Sequence, residues 1–127
     1  MKVVIVGAGK LGLKVANVLL GGDNDVTIID TNEEILQKIS SQMDVMTLNA
    51  NAKEIKTLKN INISSYDFLI TTTGNDELNI VIASFAKSLG CNKVIARVRD
   101  PEHMQQINFI KDVMDIDHIV NPDLAIT

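Results

Sequence analysis

Aromatic residues are scarce in this sequence, which has no Trp, one Tyr and three Phe among its 127 residues. Hydrophobic residues nevertheless make up 46% of the chain, so the core must be packed mainly from aliphatic side chains. That composition suits a layered α/β domain. A chain of this length can bury one substantial core but is too short for two. We therefore expect a single domain over residues 1–127.

Cysteine and histidine are also rare. Cys91 is the only cysteine, which excludes an internal disulfide and leaves no C-x-x-C pair for a metal. The two histidines, His103 and His118, are far apart in the sequence. The sequence therefore predicts no metal site.

Neither a block of positive charge nor a long apolar run is present. The net charge is -4, with acidic and basic residues interspersed, so the electrostatic footprint of a nucleic-acid-binding protein is missing. No apolar stretch approaches the ~20 residues that span a bilayer, and the N-terminus has no signal-peptide pattern. We expect a soluble, cytosolic protein that has no nucleic-acid partner and does not insert directly into a membrane.

Short β-branched runs alternate with helical patterns along the chain. Strands are predicted at 2–6, 26–29, 45–48, 67–73, 93–98 and 118–120. Helices are predicted at 10–20, 33–42, 53–59 and 77–89, the last ending at Gly90, with a further helix that begins near Pro101 and has Asp100 as its N-cap. This alternation indicates right-handed βαβ crossovers. We expect a Rossmann-like, doubly wound parallel sheet of six strands with helices on both faces.

The stretch GAGKLG, residues 7–12, follows the apolar run VVIV and opens the first predicted helix. In a dinucleotide-binding turn of this pattern, Gly7 permits the tight turn and Gly9 lets the backbone approach a pyrophosphate. Gly12 allows the helix to pack closely on the sheet. The helix N-terminus then offers unpaired N–H groups to the phosphates. Lys10 is either a further phosphate contact or a solvated surface lysine.

Asp30 ends the second predicted strand, where a carboxylate can accept the hydroxyls of an adenosine ribose. Alternatively, Asp30 merely starts the turn into the next helix, with Thr31 and Glu34 as a capping box. A carboxylate at this position repels a 2'-phosphate, which favours NAD over NADP. ATP, ADP and AMP carry the same ribose and remain open as ligands.

Other strand ends should line the same crevice, because ligands of open α/β sheets bind at the carboxyl ends of the strands. The corresponding loops cover residues 49–52, 72–76 and 97–100. Thr73 and Gly74 either approach a sugar or simply form a loop before a helix capped by Asp76. Arg97 lies inside the apolar strand KVIARV. Since an unpaired guanidinium is costly to bury, we expect Arg97 to pair with an acid or a phosphate.

Four segments of the sequence together resemble one family. They are KVVIVGAGKLG, the strand end at Asp30, TTTGNDELNIVIASFAKSLG with its D-E-x-N helix start, and IARVRDPEH. The family is the N-terminal nucleotide-binding domain of TrkA-type regulators of potassium transport, the KTN or RCK-N domain. The resemblance implies a cytoplasmic subunit or domain, peripheral at the inner face of the membrane, that forms homodimers or larger rings on a potassium channel or transporter. It further implies that bound NAD or NADH, or alternatively ATP or ADP, gates that partner.

The resemblance also implies roles for individual residues. It assigns the pyrophosphate to the turn of Gly7, Ala8, Gly9, Lys10, Leu11 and Gly12, the adenosine ribose to Asp30, the adenine to Asn51 and Ala52, and the second ribose or terminal phosphate to Thr73, Gly74 and Arg97. The family usually has glycine where this chain has Ala50. If that position used a positive φ, Ala50 would be strained by ~1 kcal/mol or slightly more. The family's C-terminal regulatory lobe is absent from these 127 residues, and whether the native chain continues beyond Thr127 is left open.

A competing interpretation is a small NAD-dependent oxidoreductase, or the cofactor-binding domain of one. Such an enzyme needs a substrate pocket and a proton-transfer group beside the nicotinamide. His103 and His118 are the candidates, but neither lies in a recognisable motif, and the Rossmann unit occupies nearly the whole chain. We therefore favour a nucleotide sensor without catalytic residues. A Rossmann domain with an empty site, used only for assembly, is a third possibility.

Overall fold

The computed structural model describes residues 1–100 and 106–121. Within them the strands are β1 (Lys2–Val6), β2 (Asp25–Asp30), β3 (Met46–Asn49), β4 (Phe68–Thr71), β5 (Lys93–Arg97) and β6 (His118–Val120). The helices are α1 (Lys10–Leu20), α2 (Glu33–Gln42), α3 (Ile55–Asn60), α4 (Asp76–Ser88) and α5 (Ile107–Met114), with a short 3-10 turn at Ile63–Ser65.

All six strands pair in parallel in one sheet with the order β3-β2-β1-β4-β5-β6. The chain winds outward from β1 to β3, crosses back to β4 beside β1, and winds outward again to β6. This topology confirms the predicted doubly wound sheet. It also places a switch point between β1 and β4, where the helices that follow the two strands leave on opposite sides and open a crevice.

Both faces of the sheet are buried, which explains the unbroken apolar run of β1. Alternate side chains of a strand point to opposite faces. Val3 and Ile5 accordingly pack in a cluster with residues of α1 and α2. Val4 and Val6 pack in a second cluster with residues of α3 and α4. A strand with only one buried face would alternate apolar and polar residues instead.

The N-caps of two helices differ from the prediction by one residue. Asn32, not Thr31, caps α2 by accepting a hydrogen bond from Ile35 N (3.2 Å). Asn75, not Asp76, caps α4 by accepting from Leu78 N (2.9 Å). Each asparagine has the extended backbone that an N-cap requires and stands directly before the first helical residue.

The other end of α4 agrees with the prediction. Gly90 has φ +105°, the conformation in which glycine commonly ends a helix. A Cβ there would also lie 3.0 Å from Ser64 Cβ. The fourth strand is shorter than predicted and ends at Thr71, because the backbone N–H of Thr73 already bonds to a side chain of α4.

The predicted beginning of the last helix, near Pro101 and including His103, lies outside the described residues. Cys91 is buried and unpaired, and burial raises the pKa of its thiol. In the described ranges no helix is long and apolar enough to cross a membrane. The same ranges contain no cluster of His, Cys, Asp and Glu that could hold a metal ion.

Candidate functional site

A crevice opens at the carboxyl ends of β1, β2, β4 and β5. It consists of two adjoining cavities, of about 260 and about 370 Å³, that share Gly7, Asp30 and Thr73. The structure brings all the predicted site residues except Gly12 to the lining of these cavities. They are Gly7, Ala8, Gly9, Lys10, Leu11, Asp30, Asn51, Ala52, Thr73, Gly74 and Arg97.

The three glycines of the turn are constrained in different ways. Gly7 has φ +111°, and a Cβ there would lie 2.8 Å from Thr72 Oγ1. A Cβ on Gly12 would collide with the carbonyl oxygen of Gly7, so Gly12 supports the crevice from behind. A Cβ on Gly9 would have no described atom within 4 Å. Gly9 therefore has no steric requirement within the described fold, unlike its two neighbours in the pattern.

The first turn of α1 supplies hydrogen-bond donors to the crevice. The first helical bond runs from Leu13 N to Gly9 O (3.0 Å), and Gly9 provides no side-chain cap for the earlier N–H groups. The first turn carries no acidic residue, and Lys10 is exposed. Unpaired donors at the positive end of a helix form a ready anion-binding site.

Asp30 joins the glycine-rich turn to the loop that leads into α2. Its Oδ2 accepts from Ala8 N (2.8 Å) and its Oδ1 from Asn32 N (2.9 Å). A carboxylate offers about four lone-pair sites, so these two bonds leave capacity for ribose hydroxyls. The alternative role as a turn former is therefore also present in the structure, and one residue can perform both.

The smaller cavity has apolar walls formed by Ile29, Ala52, Leu78 and Ile82. Such walls suit a flat heteroaromatic ring. Among the described residues other than glycine, only Asn62 and Asp115 have a positive φ. Ala50 is therefore free of the strain that a positive φ would impose, because its backbone does not use the conformation that requires glycine.

Arg97 lines the larger cavity and not the smaller one. Its Nη1 donates to Thr72 O (3.4 Å) and Thr73 O (3.3 Å), while its buried Nε has no hydrogen-bond partner among the described atoms. Of the two expected partners, an acid or a phosphate, no acid pairs with Arg97 within the part of the chain that the structure describes. Carbonyl oxygens freed where β4 ends take that place, and pairing with a phosphate stays a prediction.

Two further residues organise this region: Thr72, which was expected only as part of the loop 72–76 that lines the crevice, and Asn79, which was not predicted to contribute. The Thr72 hydroxyl shares its one proton between two carbonyl oxygens, Val6 O at 3.0 Å and Gly7 O at 3.1 Å. This bifurcated hydrogen bond holds the end of β4 against the turn. Asn79 is fully buried on α4 and bonds to Thr73 and Arg97. An amide within the apolar run LNIVI was the available signal, since a buried polar side chain needs partners.

The strand order, the glycine-rich turn after β1 and the acid at the end of β2 define a Rossmann-type domain of the dinucleotide-binding class. Residues 3–122 match the family model of the TrkA-N domain. The chain belongs to the TrkA-N domain family, as its sequence resemblance predicted.

Curated relatives of this chain are potassium uptake proteins. It is 35% identical over 123 residues to a Trk system potassium uptake protein TrkA homolog of Methanothermobacter thermautotrophicus, covering 97% of this chain and 55% of that protein. It is 30% identical over 130 residues to the Trk system potassium uptake protein TrkA of Vibrio alginolyticus, covering 100% of this chain and 28% of that protein. The chain thus spans about half or less of these relatives.

Solved structures share the fold at lower identity. The TrkA-N domain of the inner membrane protein ybaL from Escherichia coli has a TM-score of 0.82 at 19% identity, covering 96% of this chain and 87% of that one. The GsuK channel bound to NAD has a TM-score of 0.80 at 14% identity, covering 94% of this chain and 21% of that one. The Kef C-terminal domain of Shewanella denitrificans in its AMP-bound form has a TM-score of 0.74 at 17% identity, covering 98% of this chain and 73% of that one.

Proposed function

We propose that this domain binds NAD or NADH in the crevice between β1 and β4 and acts as the nucleotide-sensing part of a potassium uptake system. The observation that carries the proposal is the convergence of three features on one crevice. These are the first N–H groups of α1, which no described side chain caps, the Asp30 carboxylate and the apolar slot beside Ala52. They match the phosphates, the ribose and the adenine of one nucleotide.

Structural neighbours support this class of ligand. One is bound to NAD, another to ADP and a third to AMP. All three ligands contain adenosine, so adenosine recognition is their common element. Asp30 favours NAD over NADP, because its carboxylate would repel a 2'-phosphate. ATP and ADP are the alternative ligands.

Regulation requires only that two states of an assembly bind the nucleotide differently. We propose that the domain works on the cytoplasmic side of the membrane, as a homodimer or larger ring attached to a potassium channel or transporter subunit. The potassium uptake function named for its relatives supports this partner. Exchange of the nucleotide would shift the loops at the strand ends and so the geometry between neighbouring domains.

Catalysis by an oxidoreductase is the alternative function, but few described side chains in the crevice could transfer a proton. The titratable side chains lining the two cavities are Lys10, Asp30 and Arg97, and Asp30 and Arg97 already bind the backbone of the crevice walls. His118 is exposed on β6, at the edge of the sheet and beyond β4 and β5 from the turn. We therefore propose that the nucleotide is held and not reacted.

The ribose contact is tested by calorimetric titration of NAD into the Asp30→Asn variant. Loss of a charge-assisted acceptor costs about 1.5–3 kcal/mol, so affinity should fall at least about tenfold. Asp67→Asn is the control. Its carboxylate also accepts a backbone N–H, from Lys2 (2.8 Å), but at the amino ends of the strands, away from the crevice. Equal affinity for NAD in both variants and the parent would show that Asp30 does not bind the ribose.

Gating is tested with the full-length protein in membrane vesicles that contain the transport system. Potassium uptake should respond to NAD or NADH with the parent and with Asp67→Asn, and lose that response with Asp30→Asn. If the parent binds no adenine nucleotide, the proposed function fails as a whole. If it binds but transport never responds, the sensing role fails and the binding site stands.

A further inference from the structure

We propose that Asn79 is a positioning residue that prepares one half of the crevice for the second sugar and phosphate of a dinucleotide. This inference rests on the proposed function, because it concerns the same crevice. The residue lies in the third position after the start of α4 and is completely buried. It lines neither cavity, so any effect on a ligand must pass through its neighbours.

The Asn79 side chain uses all of its hydrogen-bonding capacity. Its Oδ1 accepts from Thr73 N (3.1 Å) and from the Thr73 hydroxyl. Its Nδ2 donates to Thr73 O (3.0 Å) and to Arg97 O (2.9 Å). Exchanging the amide oxygen and nitrogen would set donor against donor and acceptor against acceptor. The network therefore admits a single orientation and ties the ends of β4 and β5 to α4.

This network determines what Thr73 offers to a ligand. The Thr73 hydroxyl proton is directed at protein acceptors, namely Asn79 Oδ1 or Asn75 O (3.3 Å), while Asn75 N (3.3 Å) donates to one of its lone pairs. The remaining lone pair makes Thr73 Oγ1 an acceptor toward the crevice. An acceptor matches the hydroxyl of a sugar and not an oxygen of a phosphate.

The same network fixes the place of Arg97. Asn79 Nδ2 holds the Arg97 carbonyl, and Arg97 Nη1 donates to Thr73 O, the oxygen that also accepts from Asn79. The three residues thus form a closed ring. Since Arg97 lines the larger cavity, the network places its positive charge beside the part of the crevice where a second phosphate would bind.

Within this network Arg97 lines only the larger cavity, whereas Thr73 lines both the larger cavity and the apolar slot beside Ala52. Because Arg97 borders only the larger cavity, Asn79 should matter more for ligands that extend beyond the adenosine half than for those that end there. NAD has the extra phosphate and sugar, whereas AMP ends at its first phosphate. The ratio of the two affinities is a property that a general loss of stability would not change.

The test measures calorimetric affinities for NAD and AMP in the Asn79→Ala variant of the intact chain. We expect NAD affinity to fall at least about tenfold, as loss of several hydrogen bonds that preorganise a site implies, while AMP affinity stays within about twofold. Asn79→Ser, which keeps one small polar group, carries the same comparison if the alanine variant does not fold. Ile80→Val is the control, because Ile80 is buried on the same helix but lines neither cavity.

Amide hydrogen exchange of Thr73 provides an independent readout, since its N–H bonds directly to Asn79. Exchange at Thr73 should accelerate in Asn79→Ala and remain slow in Ile80→Val. An equal loss of NAD and AMP affinity, or no loss of either, would overturn the inference while leaving the proposed function intact. Absence of binding of both ligands to the parent chain would instead remove the proposed function and this inference together.

Discussion

At the scale of single residues, the glycine-rich turn divides its work between support and contact. Gly7 and Gly12 are required by the fold, because a Cβ at either position would meet the backbone or Thr72. A Cβ at Gly9 would meet no described atom within 4 Å, and Gly9 lines the larger cavity. One sequence pattern thus contains two kinds of requirement, and substitutions can separate them.

Gly12→Ala should destabilise the fold by about 1–3 kcal/mol, because the new methyl group overlaps the Gly7 carbonyl and the turn must shift. Gly9→Ala should change stability by less than about 1 kcal/mol, because its backbone has an ordinary φ of -79°. Gly9→Ala should nevertheless weaken NAD binding, since the methyl group occupies the approach to the phosphates. Urea unfolding and calorimetry measure the two effects. Equal stability loss in both variants would contradict this division.

At the scale of secondary-structure elements, α4 is the helix that joins the crevice to the outer half of the sheet. At its N-terminus the Asp76 carboxylate accepts from Arg99 N (2.9 Å) and Asp100 N (2.8 Å), just beyond β5. At its C-terminal end Lys87 forms an ion pair of 2.9 Å with Asp117, which precedes β6. Both ends of α4 are therefore attached to the segments on which β5 and β6 depend.

Because of this ion pair, the free energy of unfolding should depend on pH in the acid range. Burial raises the pKa of Asp117, but hydrogen bonds from Val94 N and Lys87 outweigh it, so the net pKa is lowered. A carboxyl whose pKa is lower in the folded state stabilises the fold above its unfolded pKa of about 3.9. That stabilisation is lost as the pH falls through the lowered folded-state value.

Asp117→Asn should cost about 1–3 kcal/mol at neutral pH, because the amide can still accept from Val94 but no longer pairs with the Lys87 charge. In urea unfolding, the difference from the parent should shrink as the pH falls from about 5 to about 2. Glu54→Gln is the control, since its 4.0 Å pair with Lys56 is exposed and should contribute little. A difference for Asp117→Asn that is independent of pH would refute the electrostatic explanation.

At the scale of the whole domain, two hydrophobic clusters on opposite faces of one sheet leave the carboxyl ends of the strands as the place for a ligand. The crevice connects elements from both halves of the sheet, since Asp30 belongs to one half and Arg97 to the other. A ligand that contacts both halves should stabilise the domain as a unit.

Thermal unfolding can therefore report ligand choice. At a concentration of about a hundred times its Kd, NAD should stabilise the domain by about 2.7 kcal/mol and raise the melting temperature accordingly. NADP should bind at least about tenfold more weakly, since its 2'-phosphate meets the Asp30 carboxylate. Asp30→Asn should reduce the preference for NAD over NADP. Equal shifts by the two dinucleotides in the parent would show that Asp30 does not select between them.

The fold was accessible from the sequence because its signals are local. β-branched runs between helical patterns identified all six strands, and the position of Gly90 correctly indicated the end of α4. The N-caps were misjudged because neighbouring residues such as Thr31 and Asn32 have similar capping ability. Only the backbone conformation selects one of them. The binding roles of the site residues stay predictions, although the structure brings nearly all of those residues to one crevice.

By itself, the sequence determined the order of strands and helices, the glycine-rich turn and the acid that ends β2, since each depends on neighbours a few residues apart. Only the tertiary structure decided which polar groups meet. Among the described residues Arg97 bonds to carbonyl oxygens and not to an acid, and Asn79 bonds to Thr73 and Arg97 across the ends of two strands. The physical reason is that a buried polar group takes the partners that three-dimensional packing brings within about 3 Å, and sequence distance does not reveal them.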